Sequence, residues 1–285
     1  MGRHRTQEAT DAFQSLIDYL KERKADIYVE KETASLLSSN SVHIVSSTEL
    51  GQMVDLVIVV GGDGSLLQAA RCVVDDDTPV IGINRGRLGF LTDIKPKNLS
   101  KELDAILDGH YITEQRFLLQ ASVEEQKLSP CAALNDVVLA SGDTAHMMEF
   151  EVYINDQFLC SERSDGMIIA TPTGSTAYAL SGGGPILQPS LDAIVLVPMF
   201  SHTLNSRPIV VPGNSEITII IGERIVSLPR ISADGEAYCE LKPGQHVNIS
   251  KKTKQLNLIH PEHYDYFANV RSKLHWGQKL TREDA

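Results

Sequence analysis

Apolar positions in the first third of the chain follow two periods. Phe13, Leu16, Ile17 and Leu20 recur at helical spacing, so residues 7–24 are expected to form an amphipathic helix. Short apolar runs follow at 42–45, 55–60 and 79–84, each expected to be a strand. Residues 65–71 read as a helix after the second run. Residues 98–107 read as another, with Gly109 as its stop. Strands alternating with helices predict a parallel, doubly wound sheet.

The period changes after Phe117. Phe117, Leu119, Ala121 and Val123 alternate with Gln120, Ser122 and Glu124, and Phe150, Val152 and Ile154 with Glu149 and Glu151 ahead of an Asn155-Asp156 turn. Further strand-like runs lie at 167–171, 194–197, 217–221, 247–249 and 256–259. Period two with turns at short intervals predicts a β-rich second domain. A closing helix is expected near 264–276. The expected division is an α/β nucleotide-binding domain over 1–115, a β-rich domain over 116–261, and a C-terminal helix, 262–280, packed back on the first.

The chain has 285 residues, enough for one large domain or two modest ones. Its net charge of -11 argues against a nucleic-acid partner but not against a nucleotide, because backbone amides alone can hold phosphate. No apolar run is long enough to span a membrane, and no signal peptide opens the sequence, so a cytoplasmic protein without a membrane partner is expected. Cys72, Cys131, Cys160 and Cys239 are isolated, which points to neither a zinc ribbon nor a redox pair. His260 and His263 have no cysteine or carboxylate cluster beside them in sequence, so no protein-held metal is expected.

Chemistry concentrates at the glycine-rich turns. The run 54–60 stops at Gly61-Gly62-Asp63-Gly64, just before a helix. That order places one carboxylate at the carboxyl end of a buried strand, where open α/β sheets bind ligands. The glycines admit a sharp turn and a close ligand, and the helix N-terminus favours phosphate. Asp63 is therefore a candidate base for phosphoryl transfer. An ordinary strand-to-helix turn is the plain alternative.

A second segment, 164–185, is rich in glycine, threonine and serine, as a ribose-bearing or polyanionic ligand requires. A polar loop between strands is its alternative. Asn135 and Asp136 either hydrogen-bond a sugar or simply start a strand. Phe90 either stacks on a base or fills the core. Neither G-x-G-x-x-G, G-x-x-x-x-G-K-[ST] nor G-x-S-x-G is present in a fitting context, which speaks against a Rossmann dehydrogenase, a P-loop kinase and a hydrolase.

Together these segments resemble the NAD kinases, specifically the bacterial ones. The matching runs are Gly61–Gly64, Asn84–Asp93, Leu134–Asp136, Arg163–Gly166, Thr171–Tyr178, Pro198–Leu204, Arg207-Pro208 and Asn257–Pro261. The likeness covers about residues 7 to 280. It implies a Rossmann-like α/β domain and a β-rich domain, with the active site in the cleft between them. It also implies transfer of the γ-phosphate of ATP to the 2′-hydroxyl of the adenosine ribose of NAD.

In that likeness Asp63 is the catalytic base, and Gly61, Gly62 and Gly64 shape the phosphate loop. Asn135 and Asp136 hold a ribose. Phe90, Thr176, Ala177, Tyr178, Ala179, Leu180 and Ser181 surround the adenosine part. His146, Arg163, Asp165 and Glu236 touch the rest of the dinucleotide. A divalent metal, expected to be Mg²⁺, arrives with ATP, and the family assembles as homodimers or homotetramers.

Two departures stand out. The family begins with a strand ahead of the segment that here reads Gly2-Arg3-His4-Arg5, so a first strand encoded upstream is expected. Some relatives also carry an amide where Glu236 stands. The rival readings are a lipid or sugar kinase sharing the Gly-Gly-Asp-Gly turn, and a non-catalytic NAD(P)-binding regulator.

Overall fold

A computed structural model describes residues 7–35, 42–85, 89–124, 126, 129–142, 146–224 and 226–276. The expected upstream strand and the segment 2–5 lie outside the described residues. The chain divides into two compact units, residues 1–115 with 256–285, and residues 116–255.

In the first unit α1 (Gln7–Glu22) buries Phe13, Leu16 and Ile17, the face its spacing predicts. β1 (Tyr28–Glu30), α2 (Lys31–Ala34) and β2 (His43–Val45) follow, with β1 and β2 paired in parallel. Next come α3 (Leu50–Met53), β3 (Val57–Gly61), α4 (Asp63–Val73), β4 (Val80–Asn84) and α5 (Leu99–Leu107). β3 and β4 pair in parallel from Val57–Val80 to Gly61–Asn84.

Val60, Ile81 and Ile83 pack against α1 and against Leu99, Leu103 and Ile106 of α5. Gly82 faces the other way, toward Leu66 of α4. Helices thus cover both faces of the strand pair, and that is why these strands read as unbroken apolar runs. Gly109, at φ +92°, ends the turn after α5.

β5 (Tyr111–Val123) leads into the second unit. There follow β6 (Cys131–Ala133), β7 (Asp136–Ala140), β8 (Met148–Ile154), β9 (Gln157–Ser164), β10 (Gly166–Ala170) and α6 (Tyr178–Ser181). β11 (Ala193–Met199), β12 (Ile209–Pro212), β13 (Ile217–Ile221), β14 (Arg230–Ala233), β15 (Glu236–Glu240) and β16 (His246–Pro261) complete it. One sheet runs β12-β11-β10-β7-β14-β15, with antiparallel pairing throughout. A second set pairs β16, β13, β8 and β9.

Period two decides how this unit packs. Val137, Leu139, Met167 and Ile169 point into a core shared with Leu119, Phe150, Val152, Ile219 and Val247. Their neighbours Val138, Ile168 and Ala170 point the other way, onto Ala179 and Leu187. The β7–β10 pair is therefore buried on both faces.

The runs at 247–249 and 256–259, read as two strands, are one. β16 stays extended through its polar middle, and Leu258 pairs with Val80 of β4. The chain passes from the second unit to the first at 255/256, inside β16. α7 (Tyr266–Leu274) closes the described chain, capped by Asp265, whose carboxylate accepts from the N–H of Ala268.

Candidate functional site

β3 delivers the chain to Gly61-Gly62, and Asp63 is the first residue of α4. Its carboxylate is held from the side. The N–H of Phe90 donates to Oδ2 at 2.9 Å and that of Leu91 to Oδ1 at 3.1 Å. Both donors come from the loop after β4, so the parallel register of β3 and β4 puts the carboxylate and its clamp at one sheet end. That loop is itself returned to the strand, because Asn84 N–H donates to Ile94 O and Ile94 N–H to Gly82 O.

Glycine is required at 89. A Cβ there would sit 1.9 Å from Asp63 Oδ1. At Gly62 and Gly64 a Cβ would meet nothing within 4 Å, and both are exposed. The turn thus presents bare backbone to solvent beside a fixed carboxylate at a helix N-terminus, a surface suited to phosphate. Two hydrogen bonds leave a carboxylate with lone pairs to spare for a proton. Phe90 is half-buried, with Lys273 Nζ 5.9 Å from its ring centroid.

In the second unit the turn 134–136 and the loop 171–175 lock together. Thr171 N–H donates to Asn135 O at 2.9 Å, and Thr171 Oγ1 to Leu134 O at 2.5 Å. A Cβ at Gly174 would lie 2.1 Å from Asn135 O, so only glycine allows this approach. Arg116, buried, donates from Nη1 to Thr173 Oγ1 at 3.0 Å.

Sequence reasoning missed Asp234. This residue sits in the left-handed region at φ 49°, with Gly235 at φ 76°, in the tight turn from β14 to β15. Its carboxylate accepts from the N–H groups of Leu134, Asn135 and Asp136 at 3.0, 2.8 and 3.3 Å. The Asp-Gly pair was the available signal, since it marks a two-residue hairpin turn. Burial, then the neighbouring Asp234 charge, pushes the Asp136 carboxyl up to about 7.

Around this lock, Thr176, Ala177 and Leu180 are half-buried, and Tyr178 and Ser181 are exposed. Ala179 differs from the expectation of a ligand contact. Its side chain is buried against Ile168 and Val197, and its carbonyl accepts from Gly184 N–H. Glu236 is exposed at the start of β15, beside the Asp234 turn.

Arg163 and Asp165 lie elsewhere. Asp136 pairs with Ala170, whereas Gly166 pairs with Ala140 at the other end of β7. The two groups are thus separated by about four residues of strand, roughly 13 Å. His146 is exposed just before β8, whose Met148 and Glu149 pair with Ser164 and Arg163. The expected contacts of the second unit therefore form two clusters.

An α/β unit with a fixed carboxylate at a glycine turn, joined to a β-rich unit with a hydroxyl-lined loop, defines a two-domain phosphotransferase without a P-loop. Comparison with known proteins gives the family. Residues 2–111 match the ATP-NAD kinase N-terminal domain and residues 134–261 the ATP-NAD kinase C-terminal domain, so the chain belongs to the ATP-NAD kinase family.

The NAD kinase of Pseudomonas putida (strain W619) is 49% identical over 286 residues, covering 100% of this chain and 97% of that protein. The NAD kinase of Chromohalobacter salexigens is 50% identical over 282 residues, covering 98% and 96%. Among solved structures, yeast NADH kinase complexed with NADH superimposes with a TM-score of 0.88 at 25% identity, covering 99% of this chain and 89% of that one. An NAD kinase from Archaeoglobus fulgidus in complex with ATP gives 0.67 at 26% identity, covering 87% and 97%.

Proposed function

We propose that this chain phosphorylates NAD at the 2′-hydroxyl of its adenosine ribose, with ATP as donor, releasing NADP and ADP. The carrying observation is the Asp63 carboxylate, clamped by two backbone amides beside the open faces of Gly62 and Gly64. In this reading Asp63 takes the hydroxyl proton, and the ribose oxygen attacks the γ-phosphorus as ADP leaves. Such a transfer needs positioning and charge neutralisation more than covalent chemistry from the protein.

Asn135 and Asp136, pinned by Asp234, hold a ribose. On the second unit, the exposed Tyr178 and Ser181 and the half-buried Thr176, Ala177 and Leu180 offer a surface to the adenosine, and on the first Phe90 offers a stacking face. Ala179 acts only by packing beneath that edge. Arg163, Asp165, His146 and Glu236 contact the remainder of the dinucleotide.

Among the described residues no group of three or more His, Cys, Asp or Glu is placed to hold a metal ion. The divalent cation, Mg²⁺ in this proposal, arrives with ATP and is held chiefly by its phosphates. When bound, it neutralises charge on the triphosphate. A homodimer or homotetramer is part of the proposal, supported by the edge strand β12 and its exposed Ile209 and Val210. No described helix is long and apolar enough to cross a membrane, and a cytoplasmic location is proposed.

Purified chain given NAD, ATP and Mg²⁺ should form NADP and ADP in equal amounts. Phosphorylation of diacylglycerol or a sugar instead of NAD would replace this reading, as would NAD binding without any turnover.

A further inference from the structure

His260 lies near the end of β16 with no exposed surface, yet its ring meets two carboxylates. Nδ1 is 2.5 Å from Asp93 Oδ2, and Nε2 is 3.1 Å from Glu114 Oε2. The Tyr264 ring stacks on the imidazole, with centroids 3.8 Å apart and planes at 14°. Asn269 of α7 donates from Nδ2 to Asp93 Oδ1 at 3.2 Å. Four segments of the first unit meet here: the loop after β4, the start of β5, the end of β16 and α7.

The hydrogen-bond inventory sets the ring's charge. A neutral imidazole has one N–H and one lone pair, and an ionised carboxylate only accepts. With both carboxylates ionised, both contacts are hydrogen bonds only if the ring carries both protons. Burial disfavours that charge, but the hydrogen bonds and charges of Asp93 and Glu114 outweigh it, and the pKa lies above the usual 6.5. Among the described residues, Asp93 and Glu114 bond to the ring and the Tyr264 phenol ring stacks on it, while Asn269 bonds to Asp93 behind it. Two further pairs, His263–Glu102 and His110–Glu262, involve neighbouring residues and exposed imidazoles.

Asp93 stands two residues beyond Leu91, whose N–H holds Asp63. Thr92 between them is fully buried, and Ile94 is bonded to β4 on the far side. The loop therefore has little slack, and a displacement of Asp93 carries to the amides at 90 and 91. We propose that His260 is a positioning residue for phosphoryl transfer: as an imidazolium held between Asp93 and Glu114, it fixes the Gly89–Asp93 loop that clamps Asp63. This rests on Asp63 being the base. Loss of the ring proton leaves one carboxylate facing a lone pair in an enclosed site, so the clamp loosens.

The test uses the full chain and the variants His260→Gln and Asp93→Asn. Ring ¹⁵N resonances of His260 should show both nitrogens protonated near neutral pH, and Asp93→Asn should move the ring's titration to lower pH. The Phe90 and Leu91 amide resonances should shift in both variants. kcat should fall roughly 10- to 100-fold, the scale of about an ångström of misplacement, while KM for NAD and ATP changes far less. The alkaline limb of the kcat profile should move with the ring's titration.

A singly protonated ring near neutral pH overturns the proposal. So do unshifted Phe90 and Leu91 amides with wild-type kcat. Asp93→Asn keeps the ring and the packing, so it remains informative if His260→Gln does not fold. Shifted amides together with an Asp63→Asn variant of undiminished turnover would uphold the positioning and remove Asp63 as base.

Discussion

At the scale of single residues, the two clamps differ in what the sequence revealed. The place of Asp63 at a strand-to-helix turn was legible, because a strand, two glycines and a helix start are local features. Its clamp was not, since Phe90 and Leu91 reach it through backbone N–H groups that carry no side-chain signature. Gly89→Ala should therefore cost activity through contact with Asp63. Steady-state kinetics should show kcat reduced roughly 10- to 100-fold.

Asp136 gives a prediction in pH. Its carboxyl titrates near 3.8 when unfolded and about 7 when folded, so the folded chain keeps a proton that the unfolded chain has lost. Stability should fall as pH rises through that window. Asp136→Asn should be the more stable protein above it, by on the order of 4 kcal/mol at most, with the advantage vanishing toward the lower value. Urea denaturation across pH measures this. Because Asp234 is adjacent, the observed midpoint belongs to the pair.

At the scale of elements, the longer apolar strands were readable, whereas the polar strands and the short apolar β12 were not. β3, β4, β10 and β13 are largely apolar and largely buried runs, and both sequence and structure place them alike. β9 and β15 carry Glu, Ser, Arg and exposed positions, so neither shows a clean alternation. Each is the second arm of a two-residue hairpin, after Asn155-Asp156 and Asp234-Gly235, so the turns and not the strands carried the local signal. β16 was split in reading because Ser250 to Gln255 is polar, although the ladder to β13 and the return to β4 keep it extended.

The turn 134–136 depends on an element about 100 residues later. Asp234→Ala should leave three backbone N–H groups without their acceptor, costing about 1–3 kcal/mol in thermal or chemical denaturation. It should also raise KM for NAD more than it lowers kcat. Ile168→Ala should cost about 2–5 kcal/mol by opening a cavity beneath α6. Denaturation of that variant should be accompanied by weaker NAD binding, because Ala179 packs on the same cluster.

At the scale of the whole molecule, the change of hydrophobic period near residue 117 was enough to announce an α/β part and a β-rich part. The first passage, at 115/116, falls where the period change put it, whereas the return lies at 255/256 and not at 261/262, because β16 is one continuous strand that changes unit partway along. Membership of the ATP-NAD kinase family accounts for two glycine-rich turns in one acidic chain. The central claim is that Asp63 is the base of an NAD kinase. The most direct test is the rate of NADP formation from NAD and ATP by the wild-type chain and by Asp63→Asn, alongside NAD affinity. The account predicts turnover lowered roughly 10²- to 10⁴-fold with NAD binding nearly unchanged. Turnover near wild type in that variant would contradict it.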